Sequence, residues 1–189
     1  MNILLIGDRE SCDYNGRNLP ESIATVLKAD NNIETVILDG DKLNPCLGCF
    51  KCWISTPGLC FQTQDIGNQL NGKEVQADVV IFVTKINYGG YSYDVKSYLD
   101  RCIPNISPFF NIVDGEMHHE LRYESTKLRI AIGYGAINQA EQATFSALEK
   151  RHALNFQPRR SLCYTLSDED DFNALGIELQ KEISGEIGR

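Results

Sequence analysis

A parallel α/β sheet covered by helices on both faces is the fold class this sequence predicts, and three observations predict it. Short β-branched and aliphatic runs, of the kind a strand shows when both faces are covered, recur along the chain. Between them lie segments with apolar residues at helical spacing, which implies crossovers joining parallel strands. A length of 189 residues with 42% hydrophobic content suits one domain, 1–189, with a sizeable core. No repeat, low-complexity tract or linker interrupts it.

Asn2–Ile6 is an apolar run ending at Gly7 and reads as the first strand. After the polar segment Asp8 to Arg17, the residues Leu19, Ile23, Val26 and Leu27 recur at helical spacing. Asn18 is the N-cap of that helix, with Glu21 three residues on and Pro20 in the first turn. Ile33–Leu38 is the second strand, closed by Asp39-Gly40. A cysteine-bearing loop, 45–61, follows, then a helix from Gln64 to Asn71 that Gly67 weakens while Ile66 and Leu70 pack inward. Val79–Val83 is the clearest strand, five β-branched or aromatic residues in a row. The loop Thr84 to Tyr91 leads to a helix with Val95, Tyr98, Leu99, Cys102 and Ile103 on one face, stopped by Pro104. Leu128–Ile132 is the fourth strand and runs into Gly133-Tyr134-Gly135. Asn138 with Glu141 caps a helix through His152, and Arg160–Leu166 is the fifth strand. Ser167 opens the last helix. Its first turn, Asp168 to Asp171, suits the positive end of the dipole, and Phe172, Leu175, Leu179 and Ile183 form its buried stripe.

Five strands of this kind fit the flavodoxin-like order 2-1-3-4-5, a three-layer sandwich whose ligands sit beyond the C-terminal strand ends at the switch point between strands 1 and 3. Those ends are Gly7–Asn18, Thr84–Ser92 and Gly133–Asn138. The cysteine loop leaves strand 2 on the same edge, which puts it beside the expected ligand crevice. Pro104 to Thr126 is too long for a plain connection. Its Phe109, Phe110, Met117, His118, His119 and Tyr123 imply a lid or a subunit contact, and with the latter a homodimer or homotetramer.

A net charge of −8 opposes nucleic acid or an anionic membrane as partner. Met1–Ile6 has no basic n-region and is too short for a signal sequence or a membrane span. Seven cysteines, an odd number without an export signal, point to thiols or metal ligands in a reducing cytoplasm. Four of them, Cys46, Cys49, Cys52 and Cys60, are spaced C-x2-C-x2-C-x7-C among Pro45, Gly48, Pro57 and Gly58, a composition that favours a wrapped loop. Iron–sulfur clusters and zinc both require such thiolate sets, and a loop of free thiols is the plainer alternative. Cys12, Cys102 and Cys163 read as core or loop residues.

Tyr88-Gly89-Gly90 is either a tight turn or a place where backbone approaches a ligand, and its position after the central strand favours the ligand. Gly133-Tyr134-Gly135 follows the same logic. Lys96 and Asp100 read as a surface pair at i,i+4. Glu116, His118, His119 and Glu120 lack a metal-binding spacing and read as hydrogen-bonding groups within their segment. Neither a G-x-S-x-G elbow nor a phosphate-binding GK[ST] loop is present.

These residues resemble the flavodoxin-like family of FMN-dependent NAD(P)H oxidoreductases. Thr84-Lys85-Ile86-Asn87-Tyr88-Gly89-Gly90-Tyr91-Ser92, followed by Lys96 and Leu99-Asp100-Arg101, resembles the family's T-P-V-Y/T-F-G-G-Y-S…K…L-D-R pattern, whose loop lies against the flavin ring. Pro45-Cys46 to Cys60, with Asp65 after it, is similar to the P-C-x-G-C-x-x-C…C…D segment of a subset that includes the iron–sulfur flavoproteins. There the motif binds a four-iron four-sulfur cluster. The resemblance implies FMN as cofactor and NAD(P)H as co-substrate. It places Thr84 to Gly90 against the ring, where the strand-end position also puts Gly133, Tyr134 and Gly135, and at the FMN phosphate the helix N-terminus offers free N–H groups while Ser11, Asn15 and Asn18 can donate. It also implies a 4Fe-4S cluster on Cys46, Cys49, Cys52 and Cys60, and a small-molecule or redox-protein electron acceptor.

The chain departs from that pattern twice. Where the family's first loop reads G-S-P-R…S-N-T, this one carries Asp8, Glu10 and Asp13. Three carboxylates weaken phosphate binding unless they point away or Arg9 and Arg17 offset them. Lys85 stands where the family has proline, and either stabilises an anionic reduced ring or reaches solvent. Two other readings stay open: an iron–sulfur flavoprotein carrier that does not use NAD(P)H, and a binding or regulatory protein of this fold that has lost FMN.

Overall fold

The computed structural model describes residues 1–126, 128–135, 138–167 and 172–187. Its strands are β1 (Asn2–Asp8), β2 (Asn32–Leu38), β3 (Val79–Lys85), β4 (Ile106–Val113), β5 (Glu116–Leu121), β6 (Leu128–Tyr134) and β7 (Arg160–Leu166). Its helices are α1 (Leu19–Leu27), α2 (Lys51–Ile54), α3 (Gly67–Gln76), α4 (Tyr93–Asp100), α5 (Gln139–Phe156) and α6 (Phe172–Ile187). Five strands form one sheet in the order β2-β1-β3-β6-β7, with every neighbouring pair parallel. Counted among themselves these are strands 2-1-3-4-5, the expected flavodoxin-like order.

The alternation of side chains along each strand divides the core into two layers. Leu5, Ile81 and Ile130 pack on one face under Ile23 and Leu27 of α1 and Leu179 and Ile183 of α6. Leu4, Ile6, Phe82 and Ala131 pack on the other, under Leu70 of α3, Val95 and Tyr98 of α4, and Phe145 of α5. With both faces covered, β1, β3 and β6 are buried almost throughout, which is why their sequences are continuous apolar runs. Each fully buried large aliphatic contributes roughly 1.5–3 kcal/mol relative to an exposed one.

Both predicted N-caps form. Asn18 Oδ1 accepts the Glu21 N–H at 3.1 Å. Asn138 and Glu141 close a capping box at 3.0 and 3.3 Å. The buried stripe of α6 is as expected, whereas its predicted first turn, residues 168–171, lies outside the described residues. Among the described residues no helix is long and apolar enough to cross a membrane.

Three elements differ from the sequence reading, the first being the one-turn helix α2 inside the cysteine stretch, whose composition favours a wrapped loop. The weak helix lies later, at Gly67–Gln76, because its buried face is Gly67, Leu70, Asn71 and Glu74. That face is helical in spacing but half polar. The 104–126 segment folds mostly as an antiparallel hairpin, with Val113 opposite Glu116 and Ile112 opposite Met117. Asp114 (φ 51°) and Gly115 (φ 82°) make its two-residue turn. It is pinned to α5 by Arg151 Nη1 to Glu116 Oε1 at 2.8 Å, His118 Nδ1 to Asn155 Oδ1 at 3.0 Å, and Gln157 Nε2 to the His119 carbonyl at 2.9 Å.

Candidate functional site

The strand ends expected to form a ligand crevice are tied together by one carboxylate. Asp8, the last residue of β1, is buried. Its Oδ1 accepts from the Ser11 N–H at 2.9 Å and from the Tyr134 hydroxyl at 2.6 Å, and its Oδ2 accepts from the Lys85 N–H at 2.7 Å. Three donors on one acceptor-only group fix the ends of β1, β3 and β6 in register. Tyr134 is pushed above its ordinary pKa by burial and then by Asp8, and its ring lies 4.9 Å from that of Tyr14.

More carboxylates gather around this knot. Asp94 lies within their reach, and the Arg9 backbone acts to lower its pKa. Its pKa is nevertheless raised, by burial first and also by Asp8, Asp39 and Glu10. Of the basic groups that could offset them, Lys42 bears on Cys12 in the same loop, and three others are engaged. Arg9 faces Asp39 at 3.7 Å, Lys85 pairs with Glu10, and Arg17 lies 4.6 Å from the centre of the Phe172 ring.

The three residues expected at a phosphate are therefore not brought together for one. Ser11 gives its N–H to the Asp8 carboxylate and its hydroxyl to the Asp8 carbonyl. Asn15 (φ 52°) and Gly16 (φ 71°) form a turn closed by reciprocal Tyr14 and Arg17 backbone bonds. Asn18 caps α1. This donor set does not fit a phosphate dianion.

The residues expected around a flavin ring do come together. β3 and β6 pair Thr84 with Gly133 and Lys85 with Tyr134, and the Ile86 N–H donates to the Tyr134 carbonyl at 2.9 Å. Thr84 Oγ1 accepts the Ser92 N–H at 2.9 Å. Asn87 and Gly90 exchange backbone bonds of 3.0 and 2.9 Å around a turn at Tyr88 and Gly89. Tyr88 stands 96% exposed at the tip, and Gly135 has a φ of 123°. The chain's own packing demands two of the glycines: a Cβ on Gly89 would meet Thr144 at 2.6 Å, and one on Gly133 would meet Ile86 at 2.5 Å. The N–H groups of Lys85, Ile86, Asn87, Gly90 and Gly135 are bonded within the chain, which leaves the turn at Tyr88 and Gly89 to meet a ring edge, while Ala136 and Ile137 lie outside the described residues.

Cys46, Cys49, Cys52 and Cys60 line one small, mainly apolar pocket with Phe50, Phe61, Arg101 and Pro104. The loop that carries them is clamped to the core. Arg101, 1% exposed, holds the buried Asp65 carboxylate through Nη1 at 2.7 Å and Nη2 at 3.0 Å, and gives Nη1 also to the Asn44 carbonyl at 2.7 Å. Asn68 exchanges two 2.8 Å bonds with the Cys60 backbone. Trp53 Nε1 on α2 reaches the Ile103 and Ile106 carbonyls at 3.1 and 3.0 Å. Cys52 is pushed up by burial and then by the sulfurs of Cys60 and Cys46.

Among the described residues no group of three or more His, Cys, Asp or Glu is arranged to hold a metal ion. A tetrahedral zinc site, with every sulfur at about 2.3 Å from one point, is therefore not preformed. What the four thiols share is a pocket, beside which the buried Arg101 Nε has no hydrogen-bond partner. A buried guanidinium lining the same pocket as four thiols, with its charge felt by Cys60 and Cys46, fits an anionic cluster.

The pocket does not adjoin the strand ends, contrary to expectation. Asp100, Arg101, Ile103 and Pro104 line it, and they lie at and just beyond the C-terminal end of α4, whereas Ser92 at the strand ends caps its N-terminus. The loop after β2 runs along α4 instead of staying at the sheet edge. Elsewhere, Lys96 and Asp100 pair at 2.5 Å on the surface as expected, and His118 hydrogen-bonds within and beside the hairpin. The organising roles of Asp8 and of the Arg101–Asp65 pair carry no signal in the sequence beyond the place of Asp65 and Arg101 at the ends of the cysteine and Thr84–Arg101 motifs.

No family model matches the chain. An iron–sulfur flavoprotein of Methanocaldococcus jannaschii is 35% identical over 78 residues, a match spanning 40% of this chain and 39% of that protein. An NAD(P)H:quinone oxidoreductase from Methanothermobacter marburgensis superposes with a TM-score of 0.64 at 12% identity, covering 95% of this chain and 91% of that one. An FMN-dependent NADH-azoreductase from Bacillus anthracis, in complex with FMN, gives 0.61 at 14% identity, covering 97% and 96%. At these identities the likeness shows a flavodoxin-like fold, shared with quinone and azo-compound reductases.

Proposed function

We propose that this protein is a flavin-dependent oxidoreductase that moves electrons from NAD(P)H to a quinone, a flavin or a one-electron partner, with a 4Fe-4S cluster on Cys46, Cys49, Cys52 and Cys60. The observation that carries the reading is that those four cysteines line one pocket, on a loop clamped by Arg101 and Asp65, in a flavodoxin-like frame. FMN is the flavin of the Bacillus neighbour, and the partial match to an iron–sulfur flavoprotein supports both cofactors. A bound flavin would supply hydride acceptance and single-electron release. The chain's part is orientation: the turn at Tyr88–Gly89 and the residues Gly133–Gly135 for the ring, Arg101 and apolar walls for the cluster. The hairpin's exposed Phe109, Phe110, Ile112 and Met117 support a homo-oligomer through that segment, and the odd thiol count supports a reducing cytoplasm.

The Asp8 knot favours a second reading, in which the strand ends hold no FMN and the protein acts through the cysteine centre alone or as a binding protein. Anaerobic purification, an absorption spectrum with iron and sulfide analysis, and stopped-flow mixing with NADPH and NADH test the proposal. The expected result is about four irons per chain, flavin bands on adding a flavin, and bleaching by one nicotinamide. Iron-free protein sinks the cluster. Protein that takes up no flavin sinks the oxidoreductase reading.

A further inference from the structure

The phosphate end of the strand-end site carries an inference that rests on the flavin part of the proposed function and narrows it. We infer that this site selects a flavin lacking the terminal phosphate, and that Asp8 sets the selection. In a flavodoxin-like sheet the switch point between β1 and β3 is where a flavin binds, and a phosphate there is held by loop and helix-terminal N–H groups. Here the Ser11 N–H donates to the Asp8 carboxylate. At the start of α1 the Glu21 N–H is taken by Asn18, and Pro20 has none to offer.

Charge acts in the same direction. A phosphate ester brings about two negative charges to a place where Asp8 and Asp94 add theirs, Glu10 and Asp39 being offset by Lys85 and Arg9. Arg9 faces Asp39, Lys85 is paired with Glu10, and Arg17 lies over Phe172. A terminal hydroxyl is the complement of this surface, since it can donate to a carboxylate where a dianion can only accept. The ring side is indifferent to the change, because the turn at Tyr88–Gly89 and the residues Gly133–Gly135 would meet the other end of the molecule.

The test is fluorescence titration of flavin-stripped full-length protein with riboflavin and with FMN, at low and high salt. Riboflavin binds the wild type about tenfold or more tightly than FMN, and salt narrows the gap by screening the repulsion. Asp8→Asn narrows it further, through FMN affinity. Glu10→Gln does the same at an exposed position, in case the buried substitution prevents folding. FMN binding as tightly as riboflavin to the wild type overturns the inference and leaves the flavin reading standing. A wild-type preference that persists in both folded variants overturns the assignment to Asp8. If neither flavin binds, both the inference and the flavin reading fail.

Discussion

Arg101 and Asp65 show how one buried pair can position a reactive loop. Burial alone would raise the Asp65 pKa, but the N–H groups of Arg101, Gly67 and Asn44 outweigh it and hold the carboxyl at about 2, below its ordinary 3.8. A group with a depressed folded pKa adds stability that is complete above the unfolded value and disappears as pH falls through the folded one. Asp65 thus contributes fully above about pH 5, and its share is lost between there and the folded value. Asp65→Asn leaves Arg101 buried without its counter-charge, so a loss of about 3 kcal/mol or more is expected in urea unfolding at pH 7. The same variant should show a shallower decline in stability toward acid than the wild type. An unchanged urea midpoint would remove the pair from its structural role. Gly67 belongs to the same construction, since a Cβ there would come within 2.6 Å of Arg101 Nη2.

At the level of elements, glycines at two places answer to different demands. Gly115 has open space around its Cα and a φ of 82°, so Gly115→Ala should cost about 1–2 kcal/mol from backbone strain alone. Gly133 has an ordinary backbone but no room, with Ile86 and Phe145 both inside 3 Å of any added Cβ. Gly133→Ala should destabilise by about 1–3 kcal/mol and also displace Ile86 at the strand ends, lowering flavin affinity where Gly115→Ala does not. Thermal unfolding with flavin titration separates them; equal flavin affinity in both variants contradicts a ring site at Ile86. The five parallel strands were legible because each is a continuous apolar run, and the caps at Asn18 and Asn138 because a capping side chain acts locally. The extent of α3 was not legible: Asn71 donates to the Arg101 carbonyl and Glu74 accepts from the Tyr98 hydroxyl, so its inward face is partly polar and gives no apolar period. The hairpin did carry a signal, Asp114-Gly115 between Val113 and Glu116, but its exposed apolar residues drew attention to a lid. In the sequence Asp8 is one more charge near a ligand, and only three-dimensional pairing reveals it as the acceptor that ties three strands.

For the whole molecule, the two candidate centres stand at opposite ends of α4, a helix of eight residues and so about 12 Å long. They can therefore be altered one at a time. Replacing Cys46, Cys49, Cys52 and Cys60 together by serine should remove iron while leaving the far-UV circular dichroism and flavin binding unchanged, because the loop is held by Arg101, Asp65, Asn68 and Trp53. Unfolding of that variant would show the thiols to be structural. The chain contains a single tryptophan. Trp53 has its ring 5.0 Å from Phe50 beside the cysteines and 4.7 Å from His119 of the hairpin. Its emission is thus an optical probe already built into the protein. It reports on the cysteine loop and the seating of the hairpin, and it is remote from events at Asp8.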